Sequence, residues 1–246
     1  MAELDTGFVK RTIPFGELGS WAPKFDDSQL IPRERWSQLI VELGDDTLSN
    51  KIKKQQKKGK MNALDQGQTQ YCWASAPVNC VRIHHMLTRN KVLDLSPASV
   101  AATIKNYQNL QGNAAEALRF IAERGVAPSS EWENYLYDDR SLNIDNTTAA
   151  DHKVTKWWDL DPGSIFDQLA TCLLNLLPVA VGYDDFMGRP GFGHEVTAVD
   201  LVDFGGGQFG IRIWNSYGDG WEEGGFCVLN PFHAIPQDAV AVAWAQ

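Results

Sequence analysis

The apolar positions of this 246-residue chain change period part way along. From Cys72, the residues Ala76, Cys80, Ile83 and Leu87 recur at helical spacing and mark one buried face. Pro77 lies inside that helix, where proline lacks the needed N–H, so a kink or local repacking is expected. A second helix is predicted from Pro97 to about Leu110, with proline in its first turn. A third is predicted from Asn113 to Arg124, with Asn113 and Glu116 as a capping pair and Gly125 as the stop. Ser164 opens another, which ends before Pro178. Beyond it the period becomes two, in 179–181, 196–200, 209–214 and 225–228, with Gly205, Gly206 and Gly207 turning one strand into the next. The pattern predicts an α+β chain: a helical lobe, then an antiparallel sheet or barrel.

Two segments carry no sustained period. Residues 1–29 read as an extended strap with apolar anchors such as Phe15 and Trp21. The run Lys51–Lys60 holds six lysines in ten residues and reads as an exposed loop: simply solvated, a docking site for an acidic partner, or a cleavage site.

Composition narrows the classes. A chain that is 43% hydrophobic with nine tryptophans folds into a globule. Its net charge of −9 argues against a general nucleic-acid binder. The N-terminus shows no basic-then-apolar leader. The longest apolar stretch, Leu169 to Tyr183, is interrupted by Asn175 and Pro178 and is too short to span a bilayer, so no membrane association is expected. The four cysteines are Cys72, Cys80, Cys172 and Cys227. No Cys-x-x-Cys or spaced His pair suggests a metal, and no cofactor is implied.

The candidate chemistry centres on Cys72. It follows Gln66-Gly67-Gln68-Thr69-Gln70-Tyr71 and precedes Trp73-Ala74. His194 and Asn215 stand 122 and 143 residues downstream, in Gly193-His194-Glu195-Val196 and Trp214-Asn215-Ser216-Tyr217. A thiol, an imidazole, a carboxamide to hold the ring and a glutamine amide to stabilise an oxyanion are the parts of an acyl-transfer site. Cys72 opens a helix, where the dipole favours a thiolate. Cys80 sits on the apolar face of that helix as packing. His84 lies about 18 Å along the same axis, so neither it nor His85 reaches the thiol. His152 reads as a surface residue in a polar connector, and His233 as a turn residue. Glu195 either shapes a pocket or is solvated.

On Gln66-Gly67, Cys72-Trp73-Ala74, His194 with its following strand, and Asn215 through Trp221, the chain resembles the papain-like cysteine peptidases. Weaker likenesses are Ile31-Pro32 with Trp36, Leu95 through Val100, and Gln111-Gly112-Asn113, which falls where the family places a glycine pair beside substrate. The resemblance covers residues 30–246 and leaves 1–29 aside. It implies a helical lobe over about 30–160, a β lobe over about 161–246, and an active site in the cleft between them. It also implies thiol-dependent peptide hydrolysis by Cys72, His194, Asn215 and Gln66 on a polypeptide substrate. By the same resemblance, Gln70, Tyr71, Trp73, Gln111, Gly112, Gly193, Glu195, Tyr217 and Trp221 line the substrate site.

Four positions depart from the family pattern. Thr69 stands for a disulfide cysteine, Gln70 for a glycine, Tyr71 for a small residue and Tyr217 for an indole. Gln70 and Tyr71 are expected to narrow the cleft. Two further readings stay open: a papain-like module kept for binding or structure, and a thiol amidase or isopeptidase with one narrow target. With the disulfide cysteine absent, four free thiols are expected, and a cytoplasmic site, or the inside of a viral particle, is the simpler placement.

Overall fold

The computed structural model describes residues 7–17 and 24–245. The helices are α1 (Trp36–Leu43), α2 (Leu48–Gln56), α3 (Cys72–Arg89), α4 (Pro97–Ile104), α5 (Ala114–Arg124) and α6 (Ile165–Leu174). The strands are β1 (Val154–Asp159), β2 (Val179–Tyr183), β3 (His194–Gly205), β4 (Gln208–Trp214), β5 (Phe226–Leu229) and β6 (Asp238–Ala245). They form one open sheet in the order β1-β6-β2-β3-β4-β5, with every neighbouring pair antiparallel. Of the two forms expected for the β lobe, the chain takes the open sheet.

Strand alternation gives the sheet two apolar faces. Ala180, Val240 and Val242 pack with residues of α3, α4 and α5. Val179, Val181, Ala239 and Ala241 turn to the other side and pack with Trp36 of α1 and with α6. The central helix α3 is buried from Cys72 through Met86. A helix enclosed on all sides carries its first residue into the interior, where the helical core meets the sheet.

Several local expectations are corrected. The helix from Pro97 stops at Ile104, because Asn106 and Tyr107 take left-handed backbone with φ of 51° and 60°. α3 runs through Pro77 without a break, and the Thr197 hydroxyl of β3 donates to the adjacent Ala76 carbonyl at 3.2 Å. The lysine run is not a loop. Lys51 through Gln56 belong to α2, whose Leu48 and Ile52 lie fully buried one turn apart against Met61, Ile83 and Trp214. Two of its lysines are already paired, Lys51 with Asp46 and Lys53 with Glu223. Strands β1 and β6 carry no sequence expectation, and they pair with each other. β1 thus places residues before 160 in the sheet. His152 is buried, not on the surface, and its Nδ1 lies 3.2 Å from the Val126 carbonyl.

In the strap, Phe15 is half-buried with the Lys24 ammonium 5.0 Å from its ring centre, and Trp21 lies outside the described residues. The firmer anchors are residues the sequence did not single out: Phe8, which is buried, Arg11, which is ion-paired, and Ile13, packed on the helical core. All four cysteines are free thiols. Among the described residues no helix is long and apolar enough to cross a membrane.

Candidate active site

Cys72 is the first residue of α3, directly after Tyr71 at its N-cap. The first-turn N–H groups of a helix lack partners within it and carry the positive end of the dipole. The backbone N–H groups of Glu195, Gly7 and Trp73 lie near enough to the Cys72 sulfur to favour its charged form. The Glu195 contact brings the start of β3, and with it His194, to the thiol.

His194 is fully buried. Its Nε2 stands 2.8 Å from Asn215 Oδ1. The same oxygen accepts the Ser216 N–H at 2.8 Å, so Oδ1 is the acceptor and Nε2 carries the hydrogen. Nδ1 is then the basic nitrogen, and it has no hydrogen-bond partner among the described residues. The ring lies against Tyr217 at 4.9 Å, nearly parallel, and Phe186 meets it edge-on at 4.8 Å. Trp221 packs edge-on against Tyr217. Tyr217 also lies close enough to Cys72 for the thiol to add to the burial that raises the phenol's pKa. Tyr217, which stands where the family pattern has an indole, therefore covers the imidazole.

Gln66 is brought to the same place by a short β-like zipper. Gln66 N–H donates to the Ser216 carbonyl at 2.8 Å, Gly218 N–H donates to the Leu64 carbonyl at 2.9 Å, and Asp65 bridges Tyr217. The Gln66 side chain is buried and doubly held. Its Oε1 accepts the Ser216 hydroxyl at 2.6 Å, and its Nε2 donates to the Thr69 carbonyl at 2.9 Å, which leaves one amide hydrogen. Ser216 was missed by sequence reasoning. The only signal was its position directly after Asn215; its side chain steers Gln66 while its backbone N–H fixes Asn215.

The expected substrate-lining residues divide. Gly112 presents backbone to the cleft, and Trp73 packs beneath it so closely that a Cβ there would lie 2.4 Å from the indole. Gly193 packs on the Phe8 carbonyl and the Gln70 carbonyl on Gly7, and Gln111 is exposed beside Gly112. Glu195 is buried, and its Oε1 accepts the Ala114 N–H at 3.1 Å. Tyr71 is a correction. Its ring is buried in the helical core, its hydroxyl donates to the Gln108 carbonyl at 2.9 Å, and it does not narrow the cleft.

The strap fills the space between these residues. Phe8 forms a parallel bridge with Gly112, through Val9 N–H to the Gly112 carbonyl and Gly112 N–H to the Gly7 carbonyl, each at 2.9 Å. The Phe8 carbonyl oxygen passes so close to Gly193 that a Cβ there would sit 2.9 Å away. A Cβ on Gly7 would collide with the Gln70 carbonyl. Residues 7–9 thus cross the thiol, wedged between both walls. Burial under this cover is the main cause of two opposite shifts. It pushes the Cys72 thiol up to about 12 and the His194 imidazole down to about 4. Covered, the pair is neutral.

No family model and no curated protein matches the sequence. Solved structures do match. Digestive procathepsin L 3 of Tenebrio molitor superimposes with a TM-score of 0.56 at 20% identity, over 73% of this chain. The chain spans 65% of that protein's length. Xylellain, a cysteine protease from Xylella fastidiosa, gives 0.58 at 16% identity, over 74% of this chain and 82% of its own. A structure from a study of the mite allergens Blo t 1 and Der p 1 gives 0.64 at 16% identity, over 76% of this chain and 68% of its own. The chain has the papain-like cysteine peptidase fold.

Proposed function

We propose that the protein is a cysteine peptidase that hydrolyses peptide bonds through Cys72, and that the strap holds it in a latent state. The observation that carries the reading is His194. A buried imidazole is held at Nε2 by Asn215 and its Nδ1 has no partner among the described residues, while the backbone of the next residue, Glu195, lies by the Cys72 thiol at a helix start. A histidine kept only for packing would have its second nitrogen satisfied or solvated.

When the strap withdraws, water enters and the burial that keeps both groups neutral is relieved. The Cys72 proton passes to His194 Nδ1, and the resulting thiolate and imidazolium stabilise each other. The sulfur attacks the substrate carbonyl carbon. The oxyanion is met by the Cys72 N–H and the free amide hydrogen of Gln66. The C–N bond breaks as His194 returns the proton to the leaving amine. Water, deprotonated by His194, then attacks the thioester and frees Cys72. Gly112 offers one backbone donor and one acceptor, the pair Gly7 and Val9 now use, so an extended peptide can add to the same edge.

One observation favours the binding-module reading: the thiol is covered. Digestion of a peptide library by the full chain, with and without Phe8→Ala, separates the two. A latent peptidase gains cleavage on Phe8→Ala, and that cleavage disappears with Cys72→Ala. A chain that cleaves nothing in either form is a binding module.

A further inference from the structure

The strap does more than cover the thiol; it inserts an arginine into a row of buried carboxylates. Sheet register sets the row. Gly182 of β2 lies opposite Glu195 of β3 on one side and Asp238 of β6 on the other. Directly paired residues share a face, so the Glu195 and Asp238 side chains flank the place where Gly182 has none. The Phe8 ring fills that gap: a Cβ on Gly182 would lie 2.4 Å from it. Asp159 of β1 pairs with Val240, two residues beyond Asp238, and so joins the same face.

Three carboxylates here share one cation. Arg11 places Nη1 2.6 Å from Asp159 and Nη2 3.2 Å from Asp238, with both acids almost wholly buried. Glu195 Oε2 and the second Asp238 oxygen, Oδ2, have no hydrogen-bond partner among the described residues. Burial pushes Asp238 up to about 6 and Glu195 well above the usual carboxylate range, with Arg11 opposing both shifts. Gly16 N–H adds a hydrogen bond of 2.8 Å to the second Asp159 oxygen. Once the strap leaves, the row faces the vacated cleft without the Arg11 counter-charge.

We infer that Asp159, Asp238 and Glu195 form a guanidinium-binding subsite of the cleft, occupied here by Arg11, and that it selects substrates carrying arginine on the Gly112 side of the scissile bond. This rests on the peptidase reading. Arginine fits better than lysine, because a planar fork reaches two carboxylates at once whereas an ammonium is a single point. The strap then occupies the cleft as a tethered mimic of the substrate: backbone on Gly112, an aromatic ring over Gly182, a guanidinium in the acid row.

The test has two arms. In the first, full-length Cys72→Ala with and without Arg11→Ala is melted in the presence of ethylguanidinium or its uncharged isostere ethylurea. Arg11→Ala should lower the Tm, and ethylguanidinium alone should recover part of the loss. No recovery, or equal recovery by ethylurea, overturns the subsite. In the second, full-length Phe8→Ala is offered peptides with arginine, lysine or citrulline at each of the nearest non-primed positions. At one position arginine should exceed citrulline in kcat/KM by roughly tenfold or more, and Asp238→Asn should remove the preference. Cleavage without preference overturns the subsite while leaving the peptidase reading intact. Absence of all cleavage counts against the peptidase reading instead, and the melting arm then decides the subsite by itself.

Discussion

Replacing Phe8 by alanine in the full chain should convert latency into activity. The Phe8 ring is 4% exposed and seated over Gly182, between the carboxylates of two neighbouring strands. Burying a phenylalanine side chain contributes about 1.5–3 kcal/mol. The larger cost of a closed core cavity does not apply, because water from the cleft fills the vacated seat. Arg11 still holds its two acids, so the strap shifts toward release without being lost. At about 1.4 kcal/mol per factor of ten, the open population should rise roughly 10- to 100-fold. Turnover of a fluorogenic peptide amide should rise by the same factor, since only the open form binds substrate. Hydrogen exchange at the Val9 N–H, which bonds the Gly112 carbonyl at 2.9 Å, should lose protection in parallel. The reasoning is refuted if Val9 loses protection and turnover stays flat, or if turnover rises with Val9 fully protected.

Other predictions follow from the same contacts. His194→Ala should be nearly as damaging to turnover as Cys72→Ala, and Asn215→Ala milder than either, measured in the Phe8→Ala background. Gln66→Ala should lower kcat by roughly 10²–10³-fold, and Ser216→Ala by less, because Ser216 only steers the Gln66 amide. Strap docking should weaken as pH rises through about 6. Asp238 is raised from 3.8 to about 6 mainly by burial; Arg11 opposes the rise, as Lys10 does more weakly, while Asp159 adds to it. Release of the strap lets water reach this acid, so its pKa is higher docked than released, and its contribution to docking is present while it is protonated and lost as pH rises through about 6. Val9 exchange, corrected for its intrinsic rate, should lose protection between about pH 5 and 7, and Asp238→Asn should flatten the profile. Gly112→Ala should raise KM for peptides, since its Cβ would meet the Trp73 indole and push the edge out of line.

Much of the candidate site was legible because its chemistry sits in short, distinctive strings around Cys72, His194 and Asn215. Their convergence follows from one buried helix and two neighbouring strands, and these the apolar periods reveal. Ser216 was illegible because a serine beside an asparagine carries no pattern; only the pairing of 64–66 with 216–218 gives it Gln66 as a partner. The lysine run misled because α2 buries a narrow stripe, Leu48 and Ile52, and a helix that buries so little reads as solvated chain. β6 hid in alternating alanine and valine, which is buried on both faces and so shows no polar period. The helix from Pro97 was over-extended because its stop rests on left-handed Asn106 and Tyr107, and tyrosine gives no hint of that conformation. Least legible was the strap. Its seat on Gly112, Gly182 and Asp238 is wholly non-local, and Phe8 and Arg11 acquire meaning only from residues more than a hundred positions away.

The central claim is that Cys72 is a His194-activated nucleophile beneath a removable cover. It is tested most directly by mapping the adduct of an active-site-directed peptidyl epoxide by mass spectrometry. The full chain, Phe8→Ala and Phe8→Ala with His194→Ala should be compared under native conditions. The account predicts slow labelling of the full chain, faster labelling of Phe8→Ala at Cys72 with Cys80, Cys172 and Cys227 unmodified, and loss of that labelling when His194 is replaced. Labelling at Cys72 that does not depend on His194, or no labelling at Cys72 once the strap is loosened, would contradict it.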